Sequence, residues 1–232
     1  LIKHYIEEAR QKSSELIDKS SFSEGGRNFL KEQLAYSVRI KMKRTSDDSL
    51  SIGQSKIGGD PDLPEDWEWP SFYNVYNKRT IPLFFVSQLN LSEINMWDYE
   101  GRLPSHGWIY FFDHDYLEDY QFYALHFKGR VDELTRRTID DESKVRFRPE
   151  DWKRLDRYDP CQLSYWAEWM LPCDGGAPDE LYNIESISGA DVTDRYYDLN
   201  DEIENLCPFP AQSRLFGYPY MEVEVDNWPL LQ

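Results

Sequence analysis

Gly58 and Gly59, between Ile57 and Asp60-Pro61, open the stretch that most constrains the fold of this chain. Adjacent glycines serve a backbone that must take positive φ or pass close to another element. Pro61, Pro64 and Pro70 keep the next segment extended and unpaired, and that segment carries Trp67 and Trp69. Two apolar runs follow, Leu83-Phe84-Phe85-Val86 and Trp108-Ile109-Tyr110-Phe111-Phe112. Apolar on both faces, they predict central strands covered on both sides.

Upstream, Ile2, Tyr5, Ile6, Ala9, Leu16 and Ile17 recur at helical spacing, predicting a helix over 1–19. A second short helix is expected over 28–34. The period then changes to two: Tyr36, Val38, Ile40 and Met42 alternate with Ser37, Arg39, Lys41 and Lys43, predicting a strand with one wet face. Tyr123, Leu125 and Phe127 alternate in the same way, as do Val145 and Phe147, and Met221, Val223 and Val225. Leu163, Trp166, Ala167 and Met170 suggest an amphipathic helix. A last helix is expected over 194–206, capped by Thr193, with Tyr196, Tyr197, Ile203 and Leu206 inward. No regular strand–helix alternation is visible, so a doubly wound fold is not expected. The class is α+β and predominantly β. A faint internal repeat links Ile57-Gly58-Gly59-Asp60-Pro61, Trp67 and Gln88 with Leu215-Phe216-Gly217-Tyr218-Pro219, Trp228 and Gln232.

The 232 residues, 40% hydrophobic and 16% aromatic, suffice for a real core despite 30% charged residues. No run approaches the roughly 20 apolar residues that a membrane helix requires. The formal charge is −17 and uneven: residues 1–56 carry 11 Lys/Arg against 8 Asp/Glu, and the rest carry 15 against 35. Such a balance opposes binding to nucleic acid or to an anionic membrane and suits a basic protein partner. Cys161, Cys173 and Cys207 are widely spaced and read as free thiols of a reducing, cytoplasmic compartment. The start at Leu1-Ile2-Lys3-His4, inside a helical pattern, reads as a trimmed end.

Taken together, Ser55-Lys56-Ile57-Gly58-Gly59-x-Pro61, the strand running to Gln88, Leu89-Asn90-Leu91, Leu103-Pro104 and the run from Gly107 to Phe112 resemble the opening half of the YwqG-like family, a bacterial domain of unknown function. Arg214-Leu215-Phe216-Gly217-Tyr218-Pro219 with Trp228 and Gln232 resembles its second half. Where the family has Ile-Gln after the turn, this chain has Met221-Glu222, and the family's closing Trp-Gly-Asp-x-Gly segment is not reached by Gln232. The resemblance implies one domain over 1–232. Its parts would be N-terminal helices (1–34), a first repeat half (55–112), a divergent middle (113–205) and the start of a second half (214–232), with more chain beyond. It implies roll-like antiparallel sheets with internal duplication and flanking helices. Members often lie beside toxin and immunity genes, which implies toxin neutralisation.

Few residues invite chemistry. Asp113-His114-Asp115 could hold a metal or act as a base, though a solvated acidic turn is the plainer reading. Nucleotide, serine-hydrolase and zinc-protease motifs do not occur. Trp67 and Trp69 either line a cleft or form a lid over the 83–86 strand. Gln88, placed in a strand, must satisfy its amide against nearby backbone. Gly58, Gly59, Pro61, Gly107, Gly217, Pro219 and Gln232 complete the motif positions. The reading leans toward a non-enzymatic protein with no cofactor or bound metal. It would bind a protein, a basic toxin in the immunity case. The alternatives are a small-ligand or glycan-binding module, and a hydrolase with an unrecognised carboxylate–His site.

Overall fold

The computed structural model describes residues 2–74, 78–113, 122–138, 158–172, 177–185, 189–208 and 213–217. In chain order the first elements are α1 (Ile2–Lys19), α2 (Glu24–Glu32), β1 (Ala35–Arg44), β2 (Lys56–Ile57), β3 (Asp62–Pro64), β4 (Ser71–Asn74) and β5 (Arg79–Pro82). Then come β6 (Phe84–Asn90), α3 (Leu91–Ile94), β7 (Trp108–Asp113), β8 (Phe122–Phe127) and β9 (Leu134–Arg136). The last are β10 (Cys161–Met170), α4 (Asp179–Glu185), α5 (Gly189–Glu204) and β11 (Ser213–Phe216). The class is α+β as expected, with helix and strand comparable in extent and antiparallel strand pairing. The chain divides into two compact units, one formed by residues up to Lys41 and from Ser164 onward, the other by Met42–Leu163.

In the first unit, α1 buries Ile6 and Ile17 on one stripe, as its periodicity predicts. Helix α2 begins at Glu24, four residues before the expected start, because Ser23 caps it: Gly26 N–H donates to Ser23 Oγ over 3.1 Å. The Glu185 carboxylate closes the same end, accepting from Ser23 N–H at 3.0 Å and Ser23 Oγ at 2.7 Å. Strand β1 lies between β11 and β10. Tyr36, Val38 and Ile40 are buried, and the Tyr36 ring packs on Trp169 and Phe216.

Three expectations are corrected in this unit. Ser37 and Arg39, assigned to a wet face of β1, are buried because Glu168 and the end of α5 engage them. Residues 163–170 form strand rather than helix, and β10 buries Ala167, Glu168, Trp169 and Met170 consecutively, the pattern of a strand covered on both faces. Helix α5 starts at Gly189, so Thr193 is no cap; its hydroxyl lies 2.7 Å from that of Tyr182. The buried stripe of α5 is Val192, Tyr196, Leu199 and Ile203, while Tyr197 and Leu206 face solvent.

In the second unit, β2 pairs with Cys161 and Gln162 on one side and with β6 on the other. The sheet continues β6-β7-β8, with Gln88 opposite Tyr110 and Tyr110 opposite Leu125. Strands β3 and β9 form a small ladder, and β4 and β5 a hairpin. The core gathers Leu63, Leu83, Phe85, Trp108, Tyr110, Phe112 and Leu134. Tyr123, Leu125 and Phe127, the predicted inward face of β8, pack against it. The expected strands around residues 145 and 223, and the second repeat half past Gly217, lie outside the described residues.

Candidate functional site

The signature residues of 55–112 converge on one buried polar cluster in the second unit. Lys56 on β2 and Gln88 on β6 are cross-strand partners, and Asp62 opens β3. All three are fully buried. Burial of that many polar groups requires a partner for each, and the loop from Asp47 to Asp60 supplies many of them.

Gly58 and Gly59 have φ of +71° and +69°, so the glycine pair makes the left-handed turn expected of it. Gly58 N–H donates to Val86 C=O at 2.8 Å, and Gly59 N–H to Tyr158 C=O at 2.8 Å. A Cβ on Gly58 would strike the carbonyls of Tyr158 and Asp159, and one on Gly59 the carboxylate of Asp47. That carboxylate receives Asp60 N–H at 2.8 Å and Lys56 Nζ at 2.7 Å. Lys56 also donates to Asp60 C=O.

Asp62 is the hub of the cluster. Its Oδ1 accepts from Arg136 Nε at 2.9 Å. Its Oδ2 accepts from Gln88 Nε2 at 2.7 Å and Gly53 N–H at 2.9 Å. Gln88 Nε2 donates its other hydrogen to Gln54 C=O at 2.8 Å, and its Oε1 takes Asp62 N–H at 2.8 Å. The amide is therefore satisfied by backbone, as expected, and by a carboxylate that was not expected. Tyr110 Oη donates to Asp62 C=O at 2.7 Å. Burial first, and then the Asp62 charge, push the Tyr110 phenol far above its ordinary range. Arg136 on β9 closes the loop by donating to the carbonyls of Asp47 and Leu50. Burial alone would lower its pKa, but Asp62, Asp47 and Asp48 hold the guanidinium above its ordinary value.

This arrangement directs its charges at one another. The Asp62 carboxylate is held by three donor groups, which is a geometry for fixing a turn rather than abstracting a proton. Pro61 is buried at the turn's exit. Trp67 and Trp69 are half-buried on the core: Trp67 meets Tyr110 and Phe127 edge-on, and Trp69 meets Phe112 while its indole N–H donates to Leu83 C=O at 3.0 Å. They cover Tyr110 and Phe112 of β7 as a lid. Gly107, at φ +95°, passes close to the Phe127 carbonyl. Gly217, at φ +76°, packs beside Ser37 and Met170 in the first unit. Asp113 ends β7, half-buried. His114, Asp115, Pro219 and Gln232 lie outside the described residues.

Asp47, Asp62 and Arg136 were not singled out by sequence reasoning. An acid between Pro61 and Leu63 hints at a buried role for Asp62; Arg136, 74 residues away, gives no local hint. Among the described residues no group of His, Cys, Asp and Glu is arranged to hold a metal, and no helix is long and apolar enough to cross a membrane. Cys161, half-buried, is a free thiol.

A family model described as a domain of unknown function, DUF1963, matches residues 55–230, a span that begins at the polar cluster. No curated protein and no solved structure matches the chain.

Proposed function

This chain belongs to the DUF1963 family, a domain of unknown function, and we propose that it is a non-enzymatic factor that binds a basic protein. The observation that carries this reading is the solvent face of α5. Asp194, Asp198, Asp201 and Glu202 are exposed there, with Tyr197 and Leu206 exposed beside them. The one cation of that helix, Arg195, lies 4.8 Å from the centre of the Phe22 ring, donates to Ser21 C=O at 2.9 Å and pairs with Glu185 at 3.5 Å and Asp191 at 3.3 Å, so it does not neutralise Asp194, Asp198, Asp201 and Glu202. Carboxylates around an aromatic and an aliphatic side chain suit a basic partner with an apolar centre. The −17 net charge adds long-range attraction for such a partner.

The narrower reading is a cytoplasmic bacterial immunity-type factor of the YwqG-like kind that neutralises a basic toxin. The whole of 1–232 would act as one domain, with 113–205 as the divergent, partner-specific part. Its support is the family resemblance together with the charge. A small-ligand or glycan module built on Trp67, Trp69 and Gln88 would have to draw those groups away from Tyr110, Phe112, Leu83 and Asp62. A hydrolase reading rests on Asp113, His114 and Asp115.

The test compares wild type with Asp194→Lys/Asp198→Lys/Asp201→Lys as baits for co-purified protein from native extracts. A basic protein retained by wild type, released by about 0.5 M salt and ignored by the variant supports the proposal. Capture that is indifferent to the three substitutions refutes the α5 assignment.

A further inference from the structure

A second charged cluster lies in the first unit, away from the family signature. Arg39 of β1 and Arg214 of β11 are direct cross-strand partners. Like charges facing each other across a strand pair repel. Here both converge on one carboxylate, that of Glu168 on β10. Arg39 Nε donates to its Oε2 at 2.6 Å and Arg214 Nε to its Oε1 at 2.7 Å. Each arginine also reaches the end of α5. Arg214 Nη2 donates to Glu204 Oε1 at 3.0 Å and Arg39 Nη2 to Glu204 C=O at 3.4 Å. The cluster thus balances two guanidinium groups with two carboxylates. Arg39 and Glu168 are buried, with 2% and 7% of their side chains exposed.

Among the described residues, β11 pairs with β1 through Ser213–Phe216, all four half-buried, and the Phe216 ring packs on Tyr36. Its last residue, Phe216, has φ +64°, a left-handed conformation that a bulky side chain resists. An edge strand with a strained end, placed opposite a like charge, relies on the carboxylate between them. We propose that Glu168 is an electrostatic latch that decides whether β11 stays paired with β1, and that removing its charge releases β11 from the Ser37–Ile40 edge.

Amide hydrogen exchange on the whole chain, read by mass spectrometry, tests this. In Glu168→Gln, amides of Ser213–Phe216 are expected to exchange about tenfold faster or more, because breaking a buried pair leaves an uncompensated charge. Amides of β6 and β7 should keep their rates. In Glu168→Gln/Arg214→Gln, which also removes the repulsion, most of the protection should return; a role confined to lost hydrogen bonds predicts no such recovery. Unchanged β11 exchange in Glu168→Gln, equal acceleration across α1, α2 and β11, or a double variant no better protected than the single one overturns the proposal. Should Glu168→Gln fail to fold, Glu204→Gln at the rim carries the test. Faster β11 exchange with α1 and α2 unchanged supports the latch, and unchanged β11 exchange overturns it.

Discussion

Gly58 and Gly59 show how much one residue type can declare. Their positive φ was legible because the conformation belongs to the residue itself. The partners of Gln88 were half legible, since any buried amide must be satisfied but nothing local names Asp62. Arg136 was illegible, because its role exists only once β9 lies beside β3. Gly58→Ala should destabilise the protein by about 3 kcal/mol or more, because the new methyl meets rigid backbone carbonyls as well as an unfavourable φ. Gly59→Ala should cost less, about 1–3 kcal/mol, since the Asp47 side chain can shift. Urea unfolding of both variants checks the order, and equal losses would contradict it. His126 offers a pH prediction. Burial, ahead of the charges of Lys128 and His106, lowers its pKa below the ordinary 6.5. The unfolded chain therefore takes up this proton first as pH falls. The contribution of His126 to stability is present above about pH 6.5 and is lost as pH falls from there toward the depressed folded value. Melting temperatures of wild type and His126→Gln should diverge in slope below about pH 6.5, with the variant flatter.

At the scale of elements, α1, β1, β6, β7 and β8 follow from period alone, because each presents one apolar stripe or two apolar faces to a core. Strand β10 did not, since Leu163, Trp166, Ala167 and Met170 satisfy a helical stripe as well as a doubly covered strand. Only its pairing with neighbouring strands, as at Cys161 and Gln162 opposite β2, decides the matter. The wet face of β1 failed for a related reason: Arg39 is buried by a carboxylate 129 residues away. Helix ends are more local. Ser23→Ala should cost about 1–2 kcal/mol, above the typical cap, because the Ser23 hydroxyl also donates to Glu185. Urea unfolding of Ser23→Ala and Ser23→Gly would measure it. For the lid, Trp69→Phe should cost about 1 kcal/mol by losing the bond to Leu83 C=O while keeping the contact with Phe112. A loss of partner capture in this variant with folding intact would argue against a purely structural lid.

For the whole molecule, a charge of −17 sets the solution behaviour. Self-repulsion should weaken the folded state at low ionic strength. Raising salt from about 10 mM to about 200 mM should therefore raise the melting temperature by roughly a few degrees, whereas a fall would point to ion pairs as the dominant electrostatic term. The Arg136 clamp has a further consequence, in time rather than in space. During synthesis Asp62 leaves the ribosome 74 residues ahead of the arginine that neutralises it. At roughly 5–20 residues per second, the acid and its glycine turn wait some 4–15 s without their counter-ion. Stalled nascent chains should thus stay protease-sensitive across 47–64 until Arg136 has emerged, and then become resistant in one step. Resistance gained earlier would mean that Gln88 and Lys56 close the turn unaided, leaving Arg136 to seal a knot already tied.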